Sequence, residues 1–441
     1  MIKKSKDAEN LLRAENLLRK TKRMTTIATV VLFAATLLVI IHSILVIYIA
    51  PTFWNWESTP LQDSDCPKTV VCLNLRGLDP FLKTALPALL NQDYPNYDVI
   101  IVVDHPDDPV YALAEEVIKA SDKNNVKIGV LKNRKETCSL VNSSLIQTIQ
   151  KNLNDYEVVA MIDADAMPHK TWLRELIAPL LNKKIGAVTG QRWYFPPRAN
   201  LGDLIRYIWN IPAVLQMIFF RIPWGGSLAI RIDVLQKCKV LDYYEKALVQ
   251  DVPLFNILKS HGHTIEFVPS VLMINRESVT LSSLVPWIQR QLLWAILYHS
   301  SWWKIVMHGI LVTIVPLLLL TLIATSTLLN ETFIAVLASL TLIGYVGITL
   351  CQLLLLEYLV RRIIKKRNEF TKWLTPLKII AFIPAMILTQ LFYPKALLFA
   401  LFSRNIEWRG INYRIDAPLK VKMLNYEPYQ IKKRKNKNSS L

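Results

Sequence analysis

The stretch from Thr25 to Ala50 runs for 26 residues without a formal charge, Ile305 to Leu329 runs for 25, and Phe333 to Leu356 for 24. A hydrocarbon core of roughly 30 Å is crossed by about 20 helical residues, so each stretch is long enough to span a bilayer. A chain with three such segments does not fold as an ordinary soluble globule. The overall 52% hydrophobic content and mean hydropathy of +0.28 agree. The first stretch, within residues 24–50, is too long for a signal peptide and no small-residue cleavage site follows it, so it reads as a retained anchor. The other two, 305–329 and 333–356, open a C-terminal membrane region over 304–403. A fourth apolar region, 379–403, is broken by Pro384, Pro394 and Lys395 into pieces of 15 and 8 residues. Neither piece spans comfortably. The expectation is a re-entrant or interfacial pair of helices, with one kinked span as the alternative.

The net charge of +18 is clustered. Residues 1–23 carry eight Lys or Arg against three acids, 361–378 carry seven against one, and the 404–441 tail carries ten against three. Beside apolar spans such clusters act as positive-inside determinants and anionic-lipid contacts. No recognition helix, zinc knuckle or aromatic stacking motif accompanies them, which argues against nucleic acid as a partner. "AENLLR" occurs twice, at Ala8–Arg13 and Ala14–Arg19, and reads as a local duplication in a basic helix lying on the membrane surface. Trp302 and Trp303 read as interfacial belt residues. The five cysteines show no paired metal spacing and fit a reducing compartment.

Residues 66–300 have a different character. β-rich runs at Thr69–Leu75, Asp98–Val103, Lys127–Leu131 and Glu157–Ile162 alternate with helix-like segments at Pro80–Asn91, Pro109–Ala120 and Cys138–Leu153. That alternation predicts βαβ units and a parallel sheet, which Ile185–Thr189, Gly226–Ile230 and Thr264–Val268 complete or extend. In open α/β sheets ligands bind beyond the carboxyl ends of the strands. Polar residues gather at those ends: "VIIVV" stops at Asp104, "VVAMI" at Asp163 and Asp165, and Leu75 gives way to Arg76, Gly77, Leu78 and Asp79.

Asp163 and Asp165 lie two apart in extended chain and point to one side. Two carboxylates facing one way need a cation, and hard oxygen ligands with open positions suit Mg²⁺ or Mn²⁺ completed by substrate phosphates. Such a metal stabilises a departing diphosphate, so nucleotide-sugar transfer fits better than hydrolysis. A second Asp-x-Asp, Asp63 and Asp65, lies in the connector "STPLQDSDCP" with no strand before it, and reads as a solvated loop. No Gly-rich phosphate cradle is present, which disfavours a P-loop or dinucleotide enzyme.

Asp251, in "ALVQDVPLFNILKSHG", sits at the start of an amphipathic helix, as either a helix cap or a general base. Arg290 and Trp294 share one helical face just before the membrane, and Arg290 either faces lipid or clamps a diphosphate. Asn200–Gly226 is aromatic and apolar but carries Arg206 and Arg221. It reads as an interfacial segment flooring the site, the alternative being a buried helix pair.

With these motifs in order, the chain resembles a membrane-bound family 2 type glycosyltransferase, above all ceramide glucosyltransferase and its bacterial relatives. "LNLRGLDPFLKTALPALLNQDYPNYDVIIVVDHPDDP" resembles the first strand, helix and nucleotide-binding turn of that family. "DAD" resembles its metal motif, "WGGSLAIRIDVL" its acceptor-side strand, "VQD" its base motif, and "RQLLW" its Arg/Gln-x-x-Arg-Trp motif. "IEWRGINYRI" is similar to a Trp-Arg-Gly-x-x-Tyr segment of the lipid-directed bacterial members. The resemblance implies an α/β GT-A fold, a UDP-sugar donor, a divalent metal and inversion by single displacement. It implies that Asp104 contacts the nucleoside, that Asp163 and Asp165 hold diphosphate and metal, and that Asp251 deprotonates the acceptor. Arg290 and Trp294 would hold the diphosphate and close the acceptor site. Leu293 stands where the family has Arg, and Gln250 where an acid commonly precedes the base.

The expected activity is hexose transfer from a UDP-glucose-like donor to a lipid hydroxyl. A processive polysaccharide synthase of the cellulose or hyaluronan type is the alternative, and a non-catalytic membrane scaffold the third reading. The expected location is a multi-pass membrane protein whose catalytic domain faces the cytoplasm. The two C-terminal basic regions and a cytoplasmic donor favour that orientation, against the basic residues that precede Thr25.

Overall fold

The computed structural model describes residues 2–57, 61–196, 200–369 and 374–430, so the last part of the basic tail, 431–441, lies outside the described residues. The chain opens with helix α1 (Ile2–Trp54) and then alternates through β1 (Thr69–Leu75), α2 (Leu82–Leu90), β2 (Tyr97–Val103), α3 (Pro109–Ser121), β3 (Val126–Val130), α4 (Leu140–Asn152) and β4 (Val158–Ile162). Next come α5 (Trp172–Ile177), β5 (Ile185–Thr189), β6 (Arg192–Tyr194), α6 (Leu201–Phe220), β7 (Ser227–Arg231), α7 (Ile232–Lys237), α8 (Val240–Tyr244), α9 (Leu254–Ser260), β8 (Thr264–Phe267) and β9 (Met273–Asn275). The rest comprises α10 (Leu281–Tyr298), α11 (Trp302–Leu328), α12 (Thr332–Lys366), α13 (Pro376–Phe402) and a meander of β10 (Asn405–Trp408), β11 (Ile411–Ala417) and β12 (Lys420–Asn425). Local chemistry sets several helix starts. Asp108 caps α3 by accepting from the Val110 N–H with Pro109 in the first turn, and Ser139 and Asn200 cap α4 and α6 in the same way.

Two compact units result. The first joins residues 1–48 to 307–357. Here Ala28, Val31, Ala35 and Leu38 of α1 pack against Val315, Leu319 and Leu322 of α11 and against Ile334, Ala338 and Tyr345 of α12. The small alanines let helix axes approach, which is how apolar helices associate without a hydrophobic drive between them. Gln352 donates to the Ser43 hydroxyl at 2.8 Å. The duplicated "AENLLR" stretch is helical as expected, within a helix α1 that runs without a break from residue 2 through the first apolar stretch. Nothing in that stretch breaks a helix, and the side chains of 2–14 and 16–18 lie outside the described residues.

The second unit joins residues 49–306 to 358–441. Its seven-stranded sheet runs in the order β3-β2-β1-β4-β7-β5-β8. Side chains alternate across it: Val71, Leu73 and Leu75 enter one apolar core with Val99, Ile101 and Trp172, while Val70 and Cys72 enter the other with Ile146, Val159, Met161 and Ile230. The expected α/β GT-A class is therefore the one observed. The expected parallel pairing holds for β1 to β4, but β7, one of the runs expected to complete or extend the sheet, runs antiparallel to both β4 and β5. A strand buried on both faces reads the same in either direction, so its residue pattern carries no sign of this. All five cysteines are free.

The expected helix pair at 379–403 is instead one continuous helix of 27 residues, α13, with Pro384 and Pro394 inside it. Each proline removes a backbone hydrogen bond at a cost of roughly 3 kcal/mol. Packing along α6 and α10 offsets that cost. Both ends of α13 return to this unit: Lys378 Nζ donates to the Pro196 carbonyl at 3.0 Å, and the meander that follows docks where the Met423 N–H meets the Glu136 carbonyl at 2.7 Å. Within the segment 200–226, Leu201–Phe220 form one helix, α6, rather than the helix pair given as the alternative, and its first half is buried almost all round. Among the described residues four helices are long and apolar enough to cross a membrane, by length and composition: Arg19–Trp54, α11, α12 and α13.

The Asp63–Asp65 connector forms a short exposed turn and is not merely solvated, because Asp63 pairs with Arg174 at 2.7 Å. Trp172 starts α5 fully buried and donates from Nε1 to the Ser227 hydroxyl at 2.9 Å, tying that helix to the first residue of β7. Trp172→Ala should destabilise this unit by about 3–5 kcal/mol, and Trp172→Phe, which keeps a ring, by distinctly less. Thermal unfolding of the full chain in detergent measures both. Equal losses would mean that the ring's volume is not what the core needs.

Candidate functional site

Register delivers the polar residues to one edge. Leu75 pairs with Val103 and Leu73 with Ile162, so Arg76, Asp104 and Asp163 emerge side by side from β1, β2 and β4. Because β7 is antiparallel and Ser227 pairs with Ile162, the residues that precede it, Trp224, Gly225 and Gly226, arrive at the same edge. β5 ends there too, and Arg192 follows it on β6.

Arg192 bridges the two central carboxylates. Its Nη2 donates to Asp163 Oδ2 at 2.8 Å, and its Nη1 lies 3.3 Å from Asp165 Oδ2, an oxygen that also accepts from Asn275 Nδ2 at 3.4 Å. The guanidinium stacks 4.7 Å from the Trp224 ring. Burial opposes the charge on Arg192, but Asp165 and Asp163 outweigh it and raise its pKa. Burial pushes the Asp163 carboxyl up to about 6; Arg192 works against this, and the charges of Asp165 and Asp251 add to it.

The glycine pair explains how Asp251 joins this group. A Cβ on Gly226 would lie 2.5 Å from Asp163 Oδ2, and one on Gly225 would lie 3.2 Å from Asp251 Oδ2 and 2.1 Å from Gln250 Nε2. Only bare backbone lets both carboxylates close on it. Asp251 Oδ2 accepts from the Gly225 N–H at 2.8 Å and Oδ1 from the Val252 N–H at 2.7 Å. The carboxylate does not cap α9, which has no side-chain cap and begins at Leu254. Burial raises the Asp251 pKa while these backbone N–H groups hold it back. Two lone-pair directions remain on the carboxylate for a further donor.

At the other end, Asp104 is gripped by Arg76 and by the Tyr426 hydroxyl, 3.2 Å from Oδ2. Its Oδ1 is buried and, among the described residues, has no hydrogen-bond partner, as is true of Asp79 Oδ2 nearby. Unpaired buried acceptors of this kind cost free energy unless a ligand donates to them. On α10, burial and then the charge of Arg409 push Arg290 down to about 10. Trp294 is buried against Trp408, ring centroids 5.9 Å apart. Leu293 is 1% exposed, a core residue in the position where an arginine was expected.

The structure thus brings Asp163, Asp165 and Asp251 together around Gly225–Gly226, with Asp104 on the same rim and Arg290 and Trp294 on α10. Sequence reasoning missed Arg192, the glycine pair and the Arg76–Tyr426 grip. Each depends on a partner far away in the chain; the only local signal was the Gly-Gly step before an apolar run. Among the described residues no group of three or more His, Cys, Asp or Glu gathers for a metal. Two carboxylates with phosphates supplying the remaining positions is a set that Mg²⁺ or Mn²⁺ accepts, and a cation would offset both the burial and the neighbouring charges of Asp165 and Asp251 that raise Asp163. Asp163 and Asp165 fit that role.

A family model described as "Glycosyl transferase family 21" matches residues 32–420. No curated protein gives a significant match. Among solved structures, the mannosyltransferase PcManGT from Pyrobaculum calidifontis, in complex with GDP-Man and Mn²⁺, aligns at 14% identity over 84% of this chain and 99% of its own, with a TM-score of 0.46. A glucosyl-3-phosphoglycerate synthase of M. tuberculosis aligns at 14% identity over 56% of this chain and 89% of its own, with a TM-score of 0.35.

A metal ligand must be deprotonated, so cation binding should be lost as pH falls through the Asp163 pKa of about 6. The rise in melting temperature on adding Mn²⁺ should be full near about pH 7.5 and largely gone near about pH 5. Asp163→Asn should show little rise at either pH. A shift independent of pH in the original chain would place the cation elsewhere.

Proposed function

The chain belongs to glycosyl transferase family 21, and on that premise we propose that it moves a hexose from a UDP-sugar of the UDP-glucose class to a hydroxyl group of a membrane lipid, inverting the anomeric carbon. The observation that carries this reading is the Gly225–Gly226 step, which holds the donor-side Asp163 and the Asp251 base against one turn of backbone.

In this reading Asp104, with its unpaired Oδ1, receives the nucleoside, and Arg290 holds the diphosphate. Asp163 and Asp165 would hold Mg²⁺ or Mn²⁺, which supplies charge neutralisation for the leaving nucleoside diphosphate. Asp251 takes the proton of the acceptor hydroxyl as its oxygen bonds to the anomeric carbon and the bond from that carbon to the diphosphate breaks. Burial favours this step, because a carboxylate of raised pKa is the stronger base.

Two features support a lipid acceptor. Ile380, Ile383, Ile387, Leu391, Leu398 and Phe402 of α13 are exposed at helical spacing, an apolar stripe on a helix whose two ends both return to the catalytic unit. Such a helix lies in the interface rather than separating two aqueous compartments. Trp209 of α6 touches Trp287 of α10 (5.1 Å between centroids), which touches Tyr194 (5.3 Å), two residues from Arg192. These rings give an apolar tail a continuous surface toward the carboxylates. With α1, α11 and α12 as the crossing helices, the catalytic unit and the C-terminal tail lie on one side, the cytoplasm in this reading.

Membranes supplied with radiolabelled UDP-hexose should place label in the lipid extract. Label in a polymer precipitate would favour a processive synthase instead, and no transfer at all would favour a scaffold. Asp251→Asn should lower the transfer rate by about 10² to 10⁴ with donor affinity near its original value. Asp165→Ala should weaken metal-dependent UDP binding and slow transfer together. Replacing Asp63 and Asp65 by Ala should leave turnover nearly intact. An unchanged rate in Asp251→Asn would remove that residue from the chemistry. A reporter fused after Leu441 should report cytoplasm, and a signal from the opposite side would overturn the topology.

A further inference from the structure

The hairpin that joins β10 to β11 carries a positive charge, Arg409, at its tip. Trp408 pairs with Ile411, leaving a two-residue turn of Arg409 and Gly410 at φ +52° and +79°. Both central residues are left-handed, the turn type that favours Asn-Gly or Gly-Gly. An arginine there costs about 1–2 kcal/mol. A residue kept at such a position against its preference invites a functional explanation.

The tip is fastened on two sides. The Arg409 carbonyl accepts from Arg76 Nε at 2.9 Å, and Arg76 is the residue that grips Asp104. Trp408, one residue earlier, packs on Trp294 of α10. Between these anchors the Arg409 guanidinium, half-buried, makes no hydrogen bond or ion pair among the described residues. It lies within charge–charge range of Asp79 and Asp163 and faces a second cation, Arg290. Arg409, tied through its carbonyl to the Arg76 that grips Asp104, and Arg290 of α10, one turn before the Trp294 that Trp408 packs on, bring two guanidinium groups to one side of the site, an arrangement suited to a multiply charged anion. The position on α10 where the family resemblance expects a clamp arginine holds buried Leu293, so α10 alone offers only one of the two.

We propose that Arg409, presented by the β10–β11 turn, is a diphosphate-binding residue that acts with Arg290 and takes over the role of the arginine absent at position 293. The donor site is then closed by a segment more than a hundred residues after α10, and the meander is part of the nucleotide site. The inference rests on the nucleotide-sugar reading given above.

The test uses the full chain in lipid nanodiscs with Mn²⁺, and measures binding of UDP and of uridine, with GDP and guanosine in parallel. Arg409→Asn is the informative variant, because Asn-Gly suits this turn better than Arg-Gly and the hairpin should persist. It should weaken nucleoside diphosphate binding by about 10- to 100-fold and leave nucleoside binding unchanged, while Arg409→Lys retains an intermediate affinity. Arg414→Gln, which removes an exposed arginine paired with Asp416 on the same meander, should bind as the original chain does. Equal diphosphate binding by the original chain and Arg409→Asn would overturn this inference and leave the transferase reading standing. Parallel loss of nucleoside and diphosphate binding would also overturn it, since the turn would then only prop the Asp104 edge. If the original chain binds no nucleoside diphosphate, the donor reading falls and this inference with it.

Discussion

Asp163, Asp165 and Asp251 are held near one another by sheet register and a glycine pair, and like charges so gathered raise one another's energy until a proton or a cation intervenes. Arg192 supplies part of that compensation through its contacts with Asp163 and Asp165. Burial, with the charges of Asp165 and Asp251 adding to it, still leaves the Asp163 carboxyl raised. Much of the surrounding architecture serves to hold this arrangement: the antiparallel β7 brings Gly225 and Gly226 to the edge, Trp172 anchors Ser227 beside them, and Asn275 of β9 steadies Asp165. On the proposed function, a site held ready under electrostatic load would bind a cation and diphosphate with less reorganisation, which is the physical basis of electrostatic catalysis.

The acceptor side follows different physics. The helices α6, α10 and α13 pack together, and α13 keeps an outward row of Ile, Leu and Phe that water would not favour. In the proposed reading a lipid surface satisfies that row, and the aromatic contacts from Trp209 through Trp287 to Tyr194 lead from those helices toward Arg192 and the carboxylates it meets. The C-terminal segment then returns over the opposite end of the site, with Tyr426 on Asp104 and Arg134 stacked 3.7 Å from the Tyr426 ring. In the proposed reading, donor and acceptor surfaces are thus built from parts of the chain that lie far apart in sequence.

How much of this was legible follows from which forces are local. Side-chain alternation and strand ends are local, so β1 and β5 fall where the pattern puts them, and Asp104 and Asp163 stand at the ends of their strands as read. Direction and register are not local: the run Ser227–Arg231 is buried throughout and says nothing about being antiparallel. Arg192 has no motif of its own and is identified only by the two aspartates it meets. Pro384 and Pro394 suggested a break, because a sequence shows the hydrogen bonds a proline removes and not the neighbours that stabilise the helix around it. Leu293 marked a departure in the expected clamp, but the hairpin that offers a second arginine becomes visible only when the meander is folded back.

In the proposed transfer a single displacement has Asp251 on the acceptor side and the diphosphate leaving from the opposite face of the sugar. The most direct test is the anomeric configuration of the glycosidic bond in the lipid product formed from an α-linked nucleotide sugar, read by NMR on the purified glycolipid. A β linkage is the result this geometry predicts. An α linkage would require retention, and would contradict the assignment of Asp251 as the base of a one-step transfer.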